Sequence, residues 1–402
     1  MTEWKECTIA DLGMVVGGAT PSTKDPENYD GGMIPWITPK DLSNYSDRYI
    51  SRGERNITEK GLNGCSTQLM PRHSVLFTSR APIGYIAIAN NEVCTNQGFK
   101  SVVPNEQTDY LFLYYLLKFN KEKIEGLGSG TTFKEVSGST MRGITVKVPK
   151  SLDVQRAIGR YLDSIDTKIE INRRINENLL QQLKAIFKHW FTDNPQLDSM
   201  SQVPLIDLCS VVTKGTTPTT LGKPFVSEGI NFIKAESILD SHTIDKNKFA
   251  FIDSETNDLL KRSVICSGDI VFTIAGTLGR FALVDESILP ANTNQAVAII
   301  RTNNQKVMPE YLYSFFLGNW HIDYYTKRIQ QAVQANLSLG TIKSLPIPIL
   351  SGEAMKEYLG IIKPIIALTK ANELEISKLE ATRDALLPRL MSGDLDVSGL
   401  EL

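Results

Sequence analysis

The chain has 402 residues, 42% of them hydrophobic and 22% charged, with a formal net charge of −2. That is length for two to three domains with cores of their own, and it excludes a disordered or fibrous chain. The slightly acidic balance counts against a free-standing nucleic-acid binder, which carries a clearly basic surface, and leaves local basic patches or a basic partner as the routes to DNA.

No run of about 18 apolar residues occurs, so no membrane span is expected. The opening MTEWKECTIADLG is charged and lacks the apolar centre of a secretory signal. Cys7, Cys65, Cys94, Cys209 and Cys266 lie far apart, with no CxxC and no histidine at ligand spacing. They read as free thiols in a reducing cytoplasm.

In chain order, residues 1–151 read as short strands between turn signals, for example 75–79 and 85–89, with one helix at 110–121. Residues 152–192 carry one long helical pattern. Ile158, Leu162, Ile165, Ile169, Asn172, Asn176, Leu179, Leu183, Ile186 and Trp190 follow one another in steps of four and three, a heptad seam with two asparagines at its centre. Residues 193–352 again alternate short strands, such as 270–274 and 296–300, with one helix at 309–328. The last segment, 353–402, opens on a second seam: Leu359, Ile362, Ile366, Thr369, Ile376, Leu379, Leu386 and Leu390, with Asn372 and Glu373 at its middle. Pro364 inside that pattern is expected to kink the helix or mark its true start.

The second half repeats the first at an offset of about 196 residues. Asp11-Leu12 falls on Asp207-Leu208, Gly18-Ala19-Thr20-Pro21 on Gly215-Thr216-Thr217-Pro218, and Ile34-Pro35-Trp36-Ile37 on Ile230-Asn231-Phe232-Ile233. Val75-Leu76-Phe77-Thr78 falls on Ile270-Val271-Phe272-Thr273, Gly84 on Gly279, and Thr95-Asn96-Gln97 on Thr293-Asn294-Gln295. Tyr110-Leu111-Phe112 falls on Tyr311-Leu312-Tyr313, and Val146-Lys147-Val148-Pro149 near Leu345-Pro346-Ile347-Pro348. The expected fold is therefore mixed α/β: two pseudo-symmetric β-rich domains separated by two long helices. A long heptad helix alone is a dimerisation element. Two with matching polar waists favour an antiparallel intramolecular coiled coil, about 57 Å long for 38 helical residues at about 1.5 Å each.

A duplicated globule of this size, each followed by a long helix, resembles the specificity subunits of Type I restriction–modification enzymes over essentially the whole chain. Gly18-Ala19-Thr20-Pro21-Ser22, the strand from Ile34 to Leu42, Gly268-Asp269-Ile270-Val271-Phe272-Thr273 and the two Thr-Asn-Gln turns resemble the family's motifs. So do the central-helix end from Ala185 to Phe191 and the C-terminal run from Leu386 to Leu395. In this order, twice, they are specific. The resemblance implies two target recognition domains, each reading one half of a bipartite double-stranded DNA site. It implies that the helices set the gap and dock two DNA-adenine methyltransferase subunits, with restriction subunits joining. S-adenosylmethionine, ATP and Mg are then expected on those partners and none on this chain, which is placed in the cytoplasm. Because the halves match only at scaffold positions, the site should be asymmetric.

Catalytic signatures are not found. Gly126-Leu127-Gly128-Ser129-Gly130-Thr131-Thr132 departs from GxGxxG at Thr131, and Gly222-Lys223 lacks the Walker spacing. The glycine loop, and Ala332-Val333-Gln334-Ala335-Asn336 at the matching place, read as mobile or DNA-facing. Asn194-Pro195-Gln196 is not a methyltransferase tetrad, and no Pro-Asp dipeptide offers a nuclease site. His73, His189, His242 and His321 stand far apart in sequence and read as surface or core residues. The DNA-contact candidates are Lys40, Arg80, Gln97, Thr131, Thr132 and Lys134 in the first copy. In the second they are Lys234, Arg280, Gln295, Gln334 and Asn336. Lys and Arg suit phosphate or guanine, and Gln and Asn suit adenine. Gln97 and Gln295, shared by both copies, cannot encode different targets and suit loop structure or phosphate. Trp36 and Phe232 read as core. The rival readings are a non-catalytic coiled-coil adaptor joining two protein-binding domains, which the acidic balance favours, and a single-chain enzyme acting on nucleic acid.

Overall fold

The computed structural model describes residues 3–43, 45–130, 134–195, 200–329 and 336–395. The chain divides into two compact units, Met1–Ile171 with Glu375–Leu402, and Asn172–Leu374. The central helix Leu152–Phe187 and the distal helix Gly352–Ser392 are both cut by that division. Each unit therefore holds one mixed α/β globule and one part of each long helix.

In the first unit a five-stranded sheet runs in the order Gly13–Gly17, Lys100–Pro104, Val75–Phe77, Ile86–Ala89, Tyr49–Ile50. All neighbours are antiparallel except the last pair, which is parallel. A second sheet sets Ile34–Ile37 between Arg55–Ile57 and Cys94–Thr95. A two-stranded ribbon joins Trp4–Thr8 to Thr145–Pro149. The second unit repeats the plan. Its four-stranded sheet runs Cys209–Lys214, Val297–Thr302, Ile270–Thr273, Phe281–Leu283. Its three-stranded sheet sets Ile230–Ile233 between Ala250–Ile252 and Ala291–Thr293, and its ribbon joins Gln202–Pro204 to Pro346–Pro348. The strand Tyr49–Ile50 has no counterpart in the second four-stranded sheet.

The central strands Val75–Phe77 and Ile270–Thr273 are short and buried on both faces, so their apolar runs do not alternate. Turns and caps punctuate them. Thr8 donates from its N–H and its hydroxyl to the Asp11 carboxylate at 2.7 Å each, and these bonds hold the Asp11 carboxyl below its usual range. Asp109 caps the helix Tyr110–Phe119 by accepting from the Phe112 N–H at 2.9 Å.

Each globule's core is continuous with the helices. In the first unit Val75, Phe77, Ile88 and Val102 of the sheet and Phe112 and Leu116 of the helix pack with Ile158 and Leu162 of the central helix. Leu387, Leu390 and Met391 of the distal helix close the same cluster. In the second, Phe272, Phe281 and Phe315 pack with Leu183, Phe187 and Phe191 on one side and Tyr358 and Ile362 on the other. Within each unit the helices run antiparallel. Arg383 reaches Asp166 at 2.8 Å and Glu375 reaches Lys168 at 3.4 Å in the first. Asn372 meets Asn176, and Tyr358 meets Phe191, in the second.

The seam residues Ile158, Leu162, Ile165, Ile169, Asn172, Leu179, Leu183, Ile362, Ile366 and Leu390 are buried, while Asn176, Ile186, Trp190, Leu359, Thr369, Ile376, Leu379 and Leu386 are half-buried. Tyr358, Leu387 and Met391 are buried beside them. A helix that faces both a partner helix and a globule needs a wider apolar stripe than a strict heptad. At the end of the central helix a π-turn, Lys188–Thr192, inserts one residue of phase. Phe187 just before it and Phe191 within it are buried, while Ile186 and Trp190 are half-buried.

Two expectations are corrected. The distal helix passes through Pro364 without a break. Proline there removes the donor to the Gly360 carbonyl, and both residues are exposed, so water can take the donor's place. The globule helices, expected at 110–121 and 309–328, are each split in two. Asn120 ends the first by donating from its side chain to the Leu116 carbonyl at 2.8 Å. Gly318 and the left-handed Asn319 (φ 60°) end the other. A Cβ on Gly318 would lie 2.0 Å from the Phe187 ring, so the break makes room for the central helix.

At the polar waist Asn372 donates to the Asn176 side-chain oxygen at 2.8 Å, and Asn176 donates to the Thr369 carbonyl at 3.2 Å. Asn372→Leu alone strands the Asn176 oxygen and should cost about 1–3 kcal/mol. Asn176→Leu with Asn372→Leu should recover most of that loss, at the expense of register specificity. Denaturant unfolding of the full chain in a double-mutant cycle measures the coupling, and additive losses would refute it.

His242 and His321, far apart in sequence, both pack against Phe281, His242 stacked at 4.2 Å and His321 edge-to-face at 5.8 Å between ring centroids. Burial pushes His321 down to about 3 from its usual 6.5. Burial, then repulsion from Lys184, pushes His242 down to about 4. The unfolded chain takes up these protons below about pH 6.5 and the folded chain only near 3–4, so stability is full at neutral pH and falls with acidification across that window. Thermal melts against pH should show this slope, and His321→Phe should flatten it. An unchanged slope would remove the histidines as its cause.

Candidate nucleic-acid interface

The two short motifs found in both copies are pressed against each other. In the first unit a Cβ on Gly18 would lie 2.1 Å from the Thr95 carbonyl oxygen, and in the second one on Gly215 would lie 1.8 Å from that of Thr293. Only glycine allows that approach. Thr20 then donates its hydroxyl to the Gln97 side-chain oxygen, and Thr217 donates its hydroxyl and its N–H to that of Gln295. The glutamines are exposed, but their oxygens are committed to the neighbouring turn. The indole of Trp36 donates to the Ala19 carbonyl at 3.0 Å from within the core, and Phe232 is fully buried.

Other candidates gather around the same turn. In the first unit Pro39, next to Lys40, packs against Gly98, next to Gln97. Ser79, next to Arg80, donates its N–H to the Gly98 carbonyl at 2.7 Å, and Val136 donates to the Ser79 carbonyl at 2.9 Å. That brings in the hairpin carrying Lys134 and Glu135. The second unit repeats the geometry. Ile274 donates to the Ala296 carbonyl at 2.8 Å, Leu337 donates to the Ile274 carbonyl at 2.9 Å, and Asn336 precedes Leu337 at the surface. Lys234 follows Ile233, whose carbonyl accepts from the Thr293 hydroxyl at 2.6 Å. Lys40, Arg80, Gln97 and Lys134, and likewise Lys234, Gln295 and Asn336, thus share one surface in their own unit. Arg280 is drawn elsewhere, held by the Asp240 carboxylate at 2.7 and 2.6 Å. Thr131, Thr132 and Gln334 lie outside the described residues.

Most of the cations have a carboxylate at hand: Lys40 meets Glu54 at 2.7 Å, Arg80 meets Glu135 at 3.0 Å and Lys234 meets Glu236 at 2.7 Å. Hydrogen bonding to Glu54 holds the Lys40 ammonium above its ordinary pKa. Such exposed pairs are worth about 0–1 kcal/mol, so a phosphate can displace the carboxylate at little cost. Lys134 is exposed and has no ion-pair partner among the described residues. Sequence reasoning missed Arg262, which donates to the Thr216 hydroxyl at 3.3 Å and so adds a cation to the shared turn of the second unit. No regular spacing marks it. Among the described residues no group of three or more potential metal ligands occurs, and no helix is long and apolar enough to cross a membrane.

This arrangement offers cations for phosphates and amides for base edges. The profile of the Type I restriction modification DNA specificity domain matches the chain twice, over residues 1–181 and 198–381. The Type I restriction enzyme MjaIX specificity subunit of Methanocaldococcus jannaschii is 32% identical over 413 residues, covering 99% of this chain and 95% of that protein. The EcoR124I/EcoR124II specificity subunit of Escherichia coli is 28% identical over 193 residues, 47% of this chain and 46% of that one. Among solved structures, the S subunit of the Type I restriction–modification system of M. genitalium shares the fold, with a TM-score of 0.61 and 18% identity over 97% of this chain and 96% of that chain. The chain belongs to the Type I restriction–modification specificity-subunit family, with two copies of its DNA specificity domain.

Proposed function

We propose that each globule reads one half of a bipartite, asymmetric duplex site, while the paired helices set the number of base pairs between the halves and dock two adenine methyltransferase subunits. The observation that carries this reading is the duplicated turn surface. Its scaffold (Gly18, Thr20 and Gln97; Gly215, Thr217 and Gln295) is the same in both units, and the residues around it differ. Arg80 stands where the second unit has Ala275, and Glu135 where it has Asn336. A common frame suits the uniform phosphate backbone, and differing neighbours suit different bases.

On this reading the chain itself is non-catalytic. S-adenosylmethionine, ATP and Mg belong to the methyltransferase and restriction subunits that join it. Its net charge of −2 fits a subunit that binds DNA tightly only together with partners. The same charge favours the alternative, an adaptor between two proteins, and salt dependence separates the two.

For the complex with its methyltransferase subunits, log affinity should fall steeply with log salt. Lys134→Ala should reduce the slope by about 0.9, the value of one phosphate contact, and weaken all sequences alike. Asn336→Ala should instead relax base preference within one half-site. A flat salt response would favour the adaptor.

Removing one heptad from each long helix keeps the seam in register and shortens the rod by about 10 Å, roughly 3 base pairs. The gap in the methylated site should shrink by that amount with both half-sites unchanged. Mapping methylated adenines in cells expressing the complex reads this directly, and altered half-sites with an unaltered gap would refute the spacer role.

A further inference from the structure

Selecting one gap length demands more than a rod of fixed length. To distinguish a gap from one a single base pair longer, a reading head must be held to within about half a step, roughly 1.7 Å. A domain of this size has a radius of gyration of about 15 Å, so its tilt on the helix must be fixed to within about 6°. Apolar packing is non-directional and tolerates sliding of that order. A multidentate polar contact does not.

The first unit contains such a contact. Arg48 immediately precedes Tyr49–Ile50, the edge strand that the second globule lacks. Its side chain is 5% exposed. All five N–H bonds of the guanidinium are used, and every acceptor lies on the central helix. Nε donates to Glu170 Oε1 at 2.8 Å, and Nη2 to Glu170 Oε2 at 3.1 Å and to the Thr167 hydroxyl at 2.7 Å. Nη1 donates to the Asp163 carbonyl at 3.0 Å and to the Asp163 carboxylate. The Arg48 backbone N–H adds a bond to Glu170 Oε1 at 3.0 Å. Asp163, Thr167 and Glu170 stand at i, i+4 and i+7, one face of the helix beside the seam. A planar fork meeting three posts fixes distance and angle together.

The second globule is held mainly by aromatic packing of Phe187 and Phe191 against Phe315 and of Tyr358 against Tyr311, with one hydrogen bond from the Tyr358 hydroxyl to Ser314 at 2.8 Å. Its ion pairs to the distal helix, Lys370 with Asp285 at 3.7 Å and Lys363 with Glu310 at 3.9 Å, are longer and more exposed.

We propose that Arg48, through Asp163, Thr167 and Glu170, is the positioning residue that fixes the tilt of the first globule on the central helix and so gives the complex its selectivity for gap length. This rests on the bipartite reading above. Arg48 does not touch DNA in this proposal, so half-site sequences should not depend on it.

The test uses the complex of the full chain with its methyltransferase subunits and a set of sites with fixed half-sites and gaps from two base pairs shorter to two longer than native. The unaltered complex must first methylate one gap selectively; if it selects no bipartite site, the functional reading fails rather than this one. Arg48→Lys keeps the charge but not the fork, and Glu170→Gln keeps the shape but not the charge. In each, methylation at gaps one base pair off should rise relative to the native gap by about tenfold, the scale on which single base-pair errors are discriminated. Thr167→Val, which removes one acceptor, should shift the ratio in the same direction and by less. A common fall at all gaps, or an unchanged ratio, would overturn the proposal. If Arg48→Lys does not assemble, the other two variants carry the same readout. Failure of all three to assemble would also overturn it, because it would make the contact a requirement for folding rather than for position.

Discussion

Each globule shares its hydrophobic core with both long helices, and the rest of the architecture depends on that. Phe77 and Leu116 in one unit, and Phe272 and Phe315 in the other, belong to clusters that the globule alone does not close. The helices supply the missing wall, from Ile158, Leu162 and Leu390 in the first case and Phe187, Phe191 and Tyr358 in the second. A head joined to its stalk only by a peptide linker would rotate freely. A head whose core includes the stalk cannot swing freely without exposing that core, and only small sliding within the apolar contact is left open. If the chain relates two pieces of sequence, as proposed above, that coupling matters more than the length of the helices alone.

Apolar coupling is joined by a buried polar network in the first unit. Burial raises the Asp166 carboxyl, but Lys118, Arg383 and Tyr115 outweigh it, and its pKa ends below the ordinary value. Burial lowers the Arg48 guanidinium, but the Glu170 hydrogen bond and the neighbouring anions outweigh that, and its pKa ends raised. Both groups thus stay charged inside the fold. Asp166 accepts from Tyr115 at 2.8 Å and from Arg383 at 2.8 Å, so one carboxylate ties the globule helix, the central helix and the distal helix together. Buried pairs of this kind add little net stability over a well-packed apolar core, but losing one partner costs about 3–5 kcal/mol. Their benefit lies in direction, since a misdocked globule would leave those charges unpaired.

The duplication and the seam were legible in the sequence because they are periodic: one repeats at a fixed offset and the other in steps of four and three. The scaffold turns were legible for a related reason, since the glycines and the Thr-Asn-Gln triplets recur where backbone passes close to backbone. The docking contacts were not. Arg48 is one arginine in a loop, and Asp163, Thr167 and Glu170 look like the polar flank of any coiled coil. Nothing in the sequence says that this flank meets the globule rather than water. The break at Gly318 was hidden for the same reason: its cause, the Phe187 ring, lies 131 positions earlier in the chain. Phe187 and Phe191, rather than Ile186 and Trp190, are buried because they face Phe315 of the globule, which a heptad count cannot register.

The two units solve one docking problem with different chemistry, and that bears on how such a subunit changes. The first globule is fastened by a directional ion cluster beside an extra edge strand, the second chiefly by edge-to-face and tilted aromatic rings. The surface proposed above for reading DNA, around the Asn96–Gly98 and Asn294–Ala296 turns, draws on none of the residues that do the fastening. On that proposal, residues around the turn would be able to change to suit a new half-site while the fastening stays put, and the helices to change length without touching either. Under the proposed function, separation of reading, fastening and spacing onto different residues would allow a single chain to carry two unlike half-sites on one repeated frame.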